Sequence, residues 1–369
     1  MKTSIVTTTI HIPHALERCA RNAKDYGHKE VEFIVAGDRK SPAGTREFCD
    51  GLAARYYPCE YLDIEDQRRY LDRFPDLWNH LRFDSIQRRN IALLRAYENG
   101  AGVVITIDDD NWTLNQDLVG LHGLAGAARE LPCLESTSGW FNVCSVLEEE
   151  NGTPFYHRGF PVSMRWRESE AFQSVARRRV RVAVNAGFWL DDPDIDALSR
   201  IHRQIVVKGF KTGTPPTLAL EPGTWCPFNS QNTALLREVI PAYFLSPYVG
   251  RYDDIWSSYV VTRIAERLGD VIAFGEPLMR QKRNEHDLWK DLDAERIGTI
   301  LTPGYCAALR EARLQGASYH ECLGEIIEAM SRNWEPEARW TEAMVETRDR
   351  VLEGWRIWHA VFERIASGK

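Results

Sequence analysis

The stretch Val103-Val104-Ile105-Thr106-Ile107-Asp108-Asp109-Asp110 constrains this chain more than any other. Five β-branched residues, four of them apolar, run into three consecutive carboxylates. β-Branched side chains suit a pleat covered on both faces, so the first half reads as a buried strand of a parallel sheet. The second half places three negative charges at the carboxyl end of that strand, where open α/β sheets bind ligands. Adjacent carboxylates repel unless a cation or hydrogen-bond donors offset them. A lone Asp pair here would read as an acidic surface turn. A triple directly after a core strand reads as a cation site.

With 369 residues, the chain is long enough for one large α/β domain with an appendage, or for two domains. A net charge of -7 without a basic block argues against a nucleic-acid partner. No apolar run approaches the roughly 20 residues that span a bilayer. The N-terminus enters a strand at once and lacks the apolar stretch and cleavage site of a signal peptide. Eight cysteines are scattered without a Cys-x-x-Cys pair. They are expected to be reduced core residues of a cytoplasmic protein rather than zinc ligands. Of the 12 tryptophans, Trp112, Trp166, Trp189, Trp225 and Trp256 fall near the motifs below. Each reads first as core packing, and second as a flat apolar face for a sugar ring.

The first hundred residues alternate strand and helix. Strands are expected at Ile5–Ile10, Val31–Ala36 and around Glu60–Leu62, and helices from Pro13 to Tyr26 and Thr45 to Ala54. That alternation predicts a parallel sheet with right-handed crossovers. A helix from Asp84 to Asn99, carrying Arg88, Arg89 and Asn90, delivers the chain into the strand at 103–107. From about 130 to 230 the pattern loosens into a mixed, partly antiparallel region. Asn229–Arg237 and Ser257–Leu268 read as helices. Beyond Thr302 the chain reads as helical almost throughout, with Trp355, Trp358 and Phe362 forming an amphipathic stripe. This divides the chain into residues 1–298 and a C-terminal helical extension, 299–369.

Several stretches carry chemistry. Thr8, Thr9 and Asp38 end the first two strands at the ligand edge. Asp38 could accept from a base or ribose hydroxyl, or cap its own turn. No Gly-x-Gly-x-x-Gly or Walker loop is present, so phosphates would have to be held by a metal and by arginines. Arg158 and Arg165 bracket Gly159-Phe160-Pro161-Val162-Ser163-Met164; an arginine fork suits diphosphate oxygens, though composition alone reads them first as two surface arginines in a loop. Asn185–Asp196, with Trp189 and four acids, could line a sugar pocket or form a solvated loop. Asp253 and Asp254 open a helix, as helix-terminal charges or as a base and hydroxyl acceptor. His286 follows a short basic stretch and could complete a metal site or contact phosphate.

Together these stretches resemble the reversibly glycosylated polypeptide family, the UDP-arabinopyranose mutases and their bacterial relatives. The matching pieces are Thr106–Asp110, Arg158–Arg165, Gly187–Leu190 with Pro193–Ala197, and Gly250–Trp256, over about residues 1–290. Phe228–Asn232 stands where plant members carry Met-Cys-Gly-Met-Asn, with Asn232 matching their Asn. The resemblance implies an α/β GT-A fold, with a Rossmann-like, mixed but mainly parallel sheet flanked by helices. It also implies a UDP-sugar substrate and Mn²⁺ or Mg²⁺, with the Asp triple joining metal to diphosphate. On that basis the candidate metal ligands are Asp108, Asp109 and Asp110, with His286 a further candidate from its place after the basic stretch, which lacks the family's His-Ser-Lys run. The nucleotide-sugar contacts are Thr8, Thr9, Asp38, Arg88, Asp108, Asp109, Trp189 and Asn232. The catalytic groups are Arg158, Arg165, Asp253 and Asp254, and the resemblance implies that Arg158 becomes reversibly glycosylated.

Three activities compete. A mutase would cleave and re-form the sugar–UDP bond. A glycosyltransferase would pass the sugar to a separate glycan or small-molecule acceptor. A non-catalytic subunit would only bind the sugar nucleotide. Self-association into a homo-oligomer is also open.

Overall fold

The alternation expected of the first hundred residues is what the chain forms. The computed structural model describes residues 1–167, 171–282 and 287–368. Its first half runs β1 (Thr3–Thr9), α1 (Ala15–Asp25), β2 (Val31–Gly37), α2 (Gly44–Arg55), β3 (Cys59–Leu62), α3 (Ile64–Leu71), α4 (Pro75–His80), α5 (Arg89–Glu98) and β4 (Val103–Ile107). The middle runs β5 (Asn111–Thr113), α6 (Leu118–His122), β6 (Ala128–Ser136), β7 (Leu147–Glu149), β8 (Gln173–Asp191), α7 (Ala197–His202), β9 (Val207–Phe210), β10 (Thr217–Leu220) and β11 (Asn232–Leu236). The last part runs α8 (Asp253–Leu268), β12 (Asp270–Gln281), α9 (Leu288–Glu311), α10 (Tyr319–Asn333) and α11 (Glu342–Ser367).

The strands join in the order β3-β2-β1-β4-β11-β8-β6-β10-β12-β5. β3, β2, β1 and β4 are parallel, with Thr3 opposite both Val31 and Val103. Beyond β4 the sheet turns mixed: β11 lies antiparallel to β4 and β8, whereas β12 is parallel to β8. Among the described strands the sheet is thus partly rather than mainly parallel. All five residues of β4 are buried, as its β-branched run requires.

One expected helix is a strand. Asn232–Leu236 was expected inside a helix from Asn229 to Arg237, yet it forms β11 in the middle of the sheet. All five of its residues are buried, and a short apolar run covered on both faces carries no periodicity that separates strand from helix. Only a neighbour on each side, β4 and β8, decides the matter.

The C-terminal helices share the main core. Residue 298, the expected domain boundary, falls inside α9, and a Cβ on Gly298 would meet the Tyr252 ring at 2.3 Å. Trp256 of α8 stacks on Tyr305 of α9 with ring centroids 4.4 Å apart, and its Nε1 donates to Thr302 Oγ1 at 2.9 Å. Trp358 of α11 is wholly buried against Phe244 and donates to Ile240 O at 3.2 Å. The stripe expected from Trp355, Trp358 and Phe362 is therefore the seam between the extension and the sheet domain.

Removing such a side chain costs about 3–5 kcal/mol. Trp358→Ala is accordingly expected to lower the urea midpoint of the whole chain in a single transition. A separate early transition of the C-terminal helices would show that they fold as a unit of their own.

Candidate functional site

A cleft of about 830 Å³ opens at the carboxyl ends of β1, β2 and β4. The physical reason for its place is topological: crossovers on either side of a parallel sheet leave a crevice beyond the strand ends. Thr8, Thr9, Asp38, Arg88, the Asp108–Asp110 triple, Arg158, Asp253 and Asp254 all line it. Residues from six separate stretches of sequence therefore share one cavity.

The Asp triple is held at its first and second members. Asp108 Oδ1 accepts from the buried Arg89 Nη2, and its backbone N donates to Asn111 Oδ1 at 2.9 Å, closing the turn after β4. Thr9 Oγ1 donates to Asp109 Oδ2 at 2.6 Å, tying β1 to the triple. Burial raises the Asp108 carboxyl, while Arg89 pulls it back and Asp109 pushes it up again. Burial alone would weaken Arg89's hold on its proton, and the Asp108 charge beside it more than offsets that.

Arg158 is the centre of a second cluster. Its Nε and Nη2 donate to Asp194 Oδ1 and Oδ2, both at 2.9 Å. Its Nη1 and Nη2 also reach Asp254 at 3.2 and 3.3 Å, and Nη1 donates to Arg251 O. The glycine after it explains how the arginine arrives there. Gly159 has φ +82°, and a Cβ would sit 2.2 Å from Ile255 Cγ2 of α8. Only glycine lets the backbone approach α8 closely enough for Arg158 to clasp Asp254. Burial opposes charge on both partners, yet the Arg158 guanidinium holds Asp194 far below the usual carboxylate range. Burial is likewise overcome at Arg158 itself, whose affinity for its proton rises well above normal beside Asp194 and Asp254.

The two clusters are joined. Arg89 Nη1 donates to Ser230 O at 2.9 Å and to Ser230 Oγ at 2.7 Å, and Ser230 N donates to Asp254 Oδ2 at 2.9 Å. A continuous hydrogen-bonded path therefore runs Asp108–Arg89–Ser230–Asp254–Arg158–Asp194. Asp253 sits beside it, with its Oδ2 accepting from Gln87 Nε2 at 2.9 Å. Burial, then the neighbouring Asp254, pushes the Asp253 carboxyl up to about 7.

Arg88 stands in contrast to Arg158. It is 1% exposed, donates to the neutral Gln67 Oε1 at 2.7 Å, and lies over the rings of both Trp78 and Phe83. Its Nη2 has no hydrogen-bond partner among the described residues. Burial pushes its guanidinium down to about 10. It is a buried cation at the cleft wall with no carboxylate bound to it among the described residues.

The charge around the cleft fits a divalent cation. Eight aspartates line it against four arginines among the described residues, and Arg158 already serves two of the eight. A diphosphate would be repelled unless a cation shared the cleft. Carboxylate oxygens are the hard donors that Mg²⁺ and Mn²⁺ prefer. No group of three His, Cys, Asp or Glu side chains among the described residues forms a ready-made metal site. Ligand oxygens would therefore have to complete the coordination.

Other expected residues lie elsewhere. Arg165 pairs with Asp196 and lies over the Tyr156 ring, outside the cleft lining. Trp189 is 1% exposed, packed on His157 and Phe188 in the core. Asn232 is wholly buried in β11, bonded to His122, Phe188 O and Pro277 O. Among the described residues no tryptophan lines the cleft. His286 lies outside the described residues. Asp38 lines the cleft, but its two oxygens already accept from Arg39 N and Ser85 N, the turn-capping role. Sequence reasoning passed over Gln87, Asn229 and Ser230 and did not separate Asp194 from its acidic neighbours. No periodicity or motif marks them, since their roles arise from contacts across 24 to 166 residues of chain.

No protein-family model matches the chain. UDP-arabinopyranose mutase 1 of Arabidopsis thaliana is 25% identical over 265 residues, 68% of each protein. UDP-arabinopyranose mutase 2 of the same plant is 29% identical over 265 residues, again 68% of each. Matches to pea and potato members span 45% of those proteins' length, so the chain covers about half of them. Among solved structures, glucosyl-3-phosphoglycerate synthase of Mycobacterium tuberculosis, in complex with Mn²⁺ and UDP-glucose, aligns with a TM-score of 0.42. Its identity is 13%, over 83% of this chain and 79% of that one.

The two buried arginines are expected to respond oppositely to loss of charge. Asp194→Asn leaves Arg158 short of a countercharge and is expected to cost about 3–5 kcal/mol. Arg88→Met removes a cation with no bound carboxylate, so the urea midpoint should hold or rise. A large loss of stability in Arg88→Met would mean that its charge is balanced in the folded protein.

Proposed function

We propose that this relative of the UDP-arabinopyranose mutases cleaves and re-forms the bond between a sugar and UDP within the cleft, exchanging pyranose and furanose rings. One observation carries the reading. The stretches that match the family, Asp108–Asp110, Arg158, Asp194 and Asp253–Asp254, are far apart in sequence and line a single cavity.

In this reading Asp109 and Asp110 would hold Mn²⁺ or Mg²⁺ for the diphosphate. Asp108 keeps its bond to Arg89. A bound divalent ion supplies stabilisation of the charge on the departing UDP. Thr8, Thr9 and Asp38 border the nucleoside, and Arg88 offers its unpaired donor to the nucleotide. Arg158 acts as the cation that fixes Asp194 and Asp254. Sugar transfer onto it would require a deprotonated guanidinium freed from both carboxylates, which its strengthened proton affinity opposes. All eight cysteines are free thiols. No helix among the described residues is long and apolar enough to cross a membrane.

A second reading, transfer to a separate glycan or small-molecule acceptor, draws support from the cleft's size. A volume of about 830 Å³ is at the large end for a single small ligand. Incubation with a panel of UDP-sugars and NMR of the products separates the two. A changed ring form supports the mutase, and free UDP with released sugar supports a transferase deprived of its acceptor.

Calorimetry tests the metal. UDP is expected to bind only with Mn²⁺ or Mg²⁺ present, and Asp109→Ala with Asp110→Ala is expected to abolish that binding. Undiminished metal-dependent binding in the double variant would remove the triple from the site.

A further inference from the structure

Asp253 and Asp254 are adjacent, both at least 94% buried, and held very differently. Asp254 is saturated. Its Oδ1 accepts from Arg158 Nη1 and Ile255 N, and its Oδ2 from Arg158 Nη2, Ser230 N and Ser230 Oγ. Asp253 has the neutral Gln87 amide on Oδ2 and the Asp254 backbone N–H, and no cation bound to it among the described residues. Both border the cleft. Adjacent carboxyl groups whose surroundings separate their proton affinities are how a site divides acid–base work from charge stabilisation.

We propose that Asp253 is the proton carrier of the ring-form exchange and that Asp254, clasped by Arg158, is the fixed charge that keeps it poised. This rests on the mutase reading above. Exchange of ring form breaks one bond between the anomeric carbon and a ring oxygen, and that oxygen gains a proton. It forms another such bond from a hydroxyl, which loses one. UDP leaves with the electron pair of its own bond and returns the pair on re-attachment. The exchange conserves protons, so one carboxyl group that takes a proton from the closing hydroxyl and returns it to the opening oxygen suffices.

The surroundings suit that task at neutral pH. Facing Asp253 are the Asp254 carboxylate on its own helix, the Arg158 guanidinium, the Gln87 amide and the buried Tyr243 phenol. Burial and the Asp254 charge favour the protonated form, and Arg158 opposes them. A group whose proton affinity lies near the working pH both accepts and donates efficiently.

Asp253→Asn keeps the shape and the bond from Gln87 and removes the proton. Calorimetric UDP affinity is expected to stay within about twofold of wild type, while kcat for ring-form exchange falls about 10²- to 10⁴-fold. The limb of the wild-type kcat profile near pH 7 is expected to vanish in Asp253→Asn and to persist, displaced, in Asp253→Glu. That rescue separates a proton role from a packing role. Exchange by Asp253→Asn within tenfold of wild type, or a retained pH limb, overturns the proton role alone. UDP-sugar binding without ring-form exchange by the wild type overturns both the mutase reading and this inference.

Discussion

The buried guanidinium of Arg158 is the interaction on which the rest of this site depends. A charge taken out of water is tolerated only when its partners are in place, and removal of one partner leaves the other stranded. Arg158 gathers Asp194 from the loop after β8, Asp254 from the start of α8, and the carbonyl of Arg251. Arg251 in turn pairs with Glu295 of α9, whose carboxylate also accepts from Ala197 N of α7. The C-terminal helices are thus tied to the chemistry as well as to the core. Gly250 repeats the device seen at Gly159: φ is +62°, and a Cβ would lie 2.0 Å from Ala294 O.

The second organising constraint is an imbalance of charge. Carboxylates outnumber guanidiniums in the cleft, and the strongest cation is already spent within the protein. Through Arg89 and Ser230, the Asp108 end of the cleft is bonded to the Asp254 end. A ligand that alters one end therefore acts on a shared hydrogen-bond path. Arg88, with neutral partners, and Asp253, with no cation bound to it among the described residues, are buried ionisable groups at the cleft whose environments leave something for a ligand to supply.

Much of this was legible in the chain. The β-branched run at 103–107 had to be a core strand, and the alternation before it had to give parallel pairing. The triple after it had to lie at the ligand edge. The resemblance directed attention to Arg158 and Asp253–Asp254, and both line the cleft. Trp189, Asn232 and Arg165 were candidates too, and they are a core ring, a buried strand residue and a paired arginine outside the cleft. An aromatic or amide near a motif looks the same in sequence whether it points into a cavity or into the core.

The sequence by itself determined the sheet's parallel half and the place of its acidic edge, because β-branched periodicity and strand order are local and topological properties. It left Asn232–Leu236 undecided between helix and strand, since burial on both faces erases the periodicity that separates them. Only the tertiary structure decided which carboxylate Arg158 clasps and which one it leaves to the Gln87 amide. Asp253 and Asp254 are neighbours with the same chemistry. Their difference is set by Arg158, Ser230 and Gln87, brought from 96, 24 and 166 residues away. Electrostatic environment depends on distance in space, and chain order does not encode that distance.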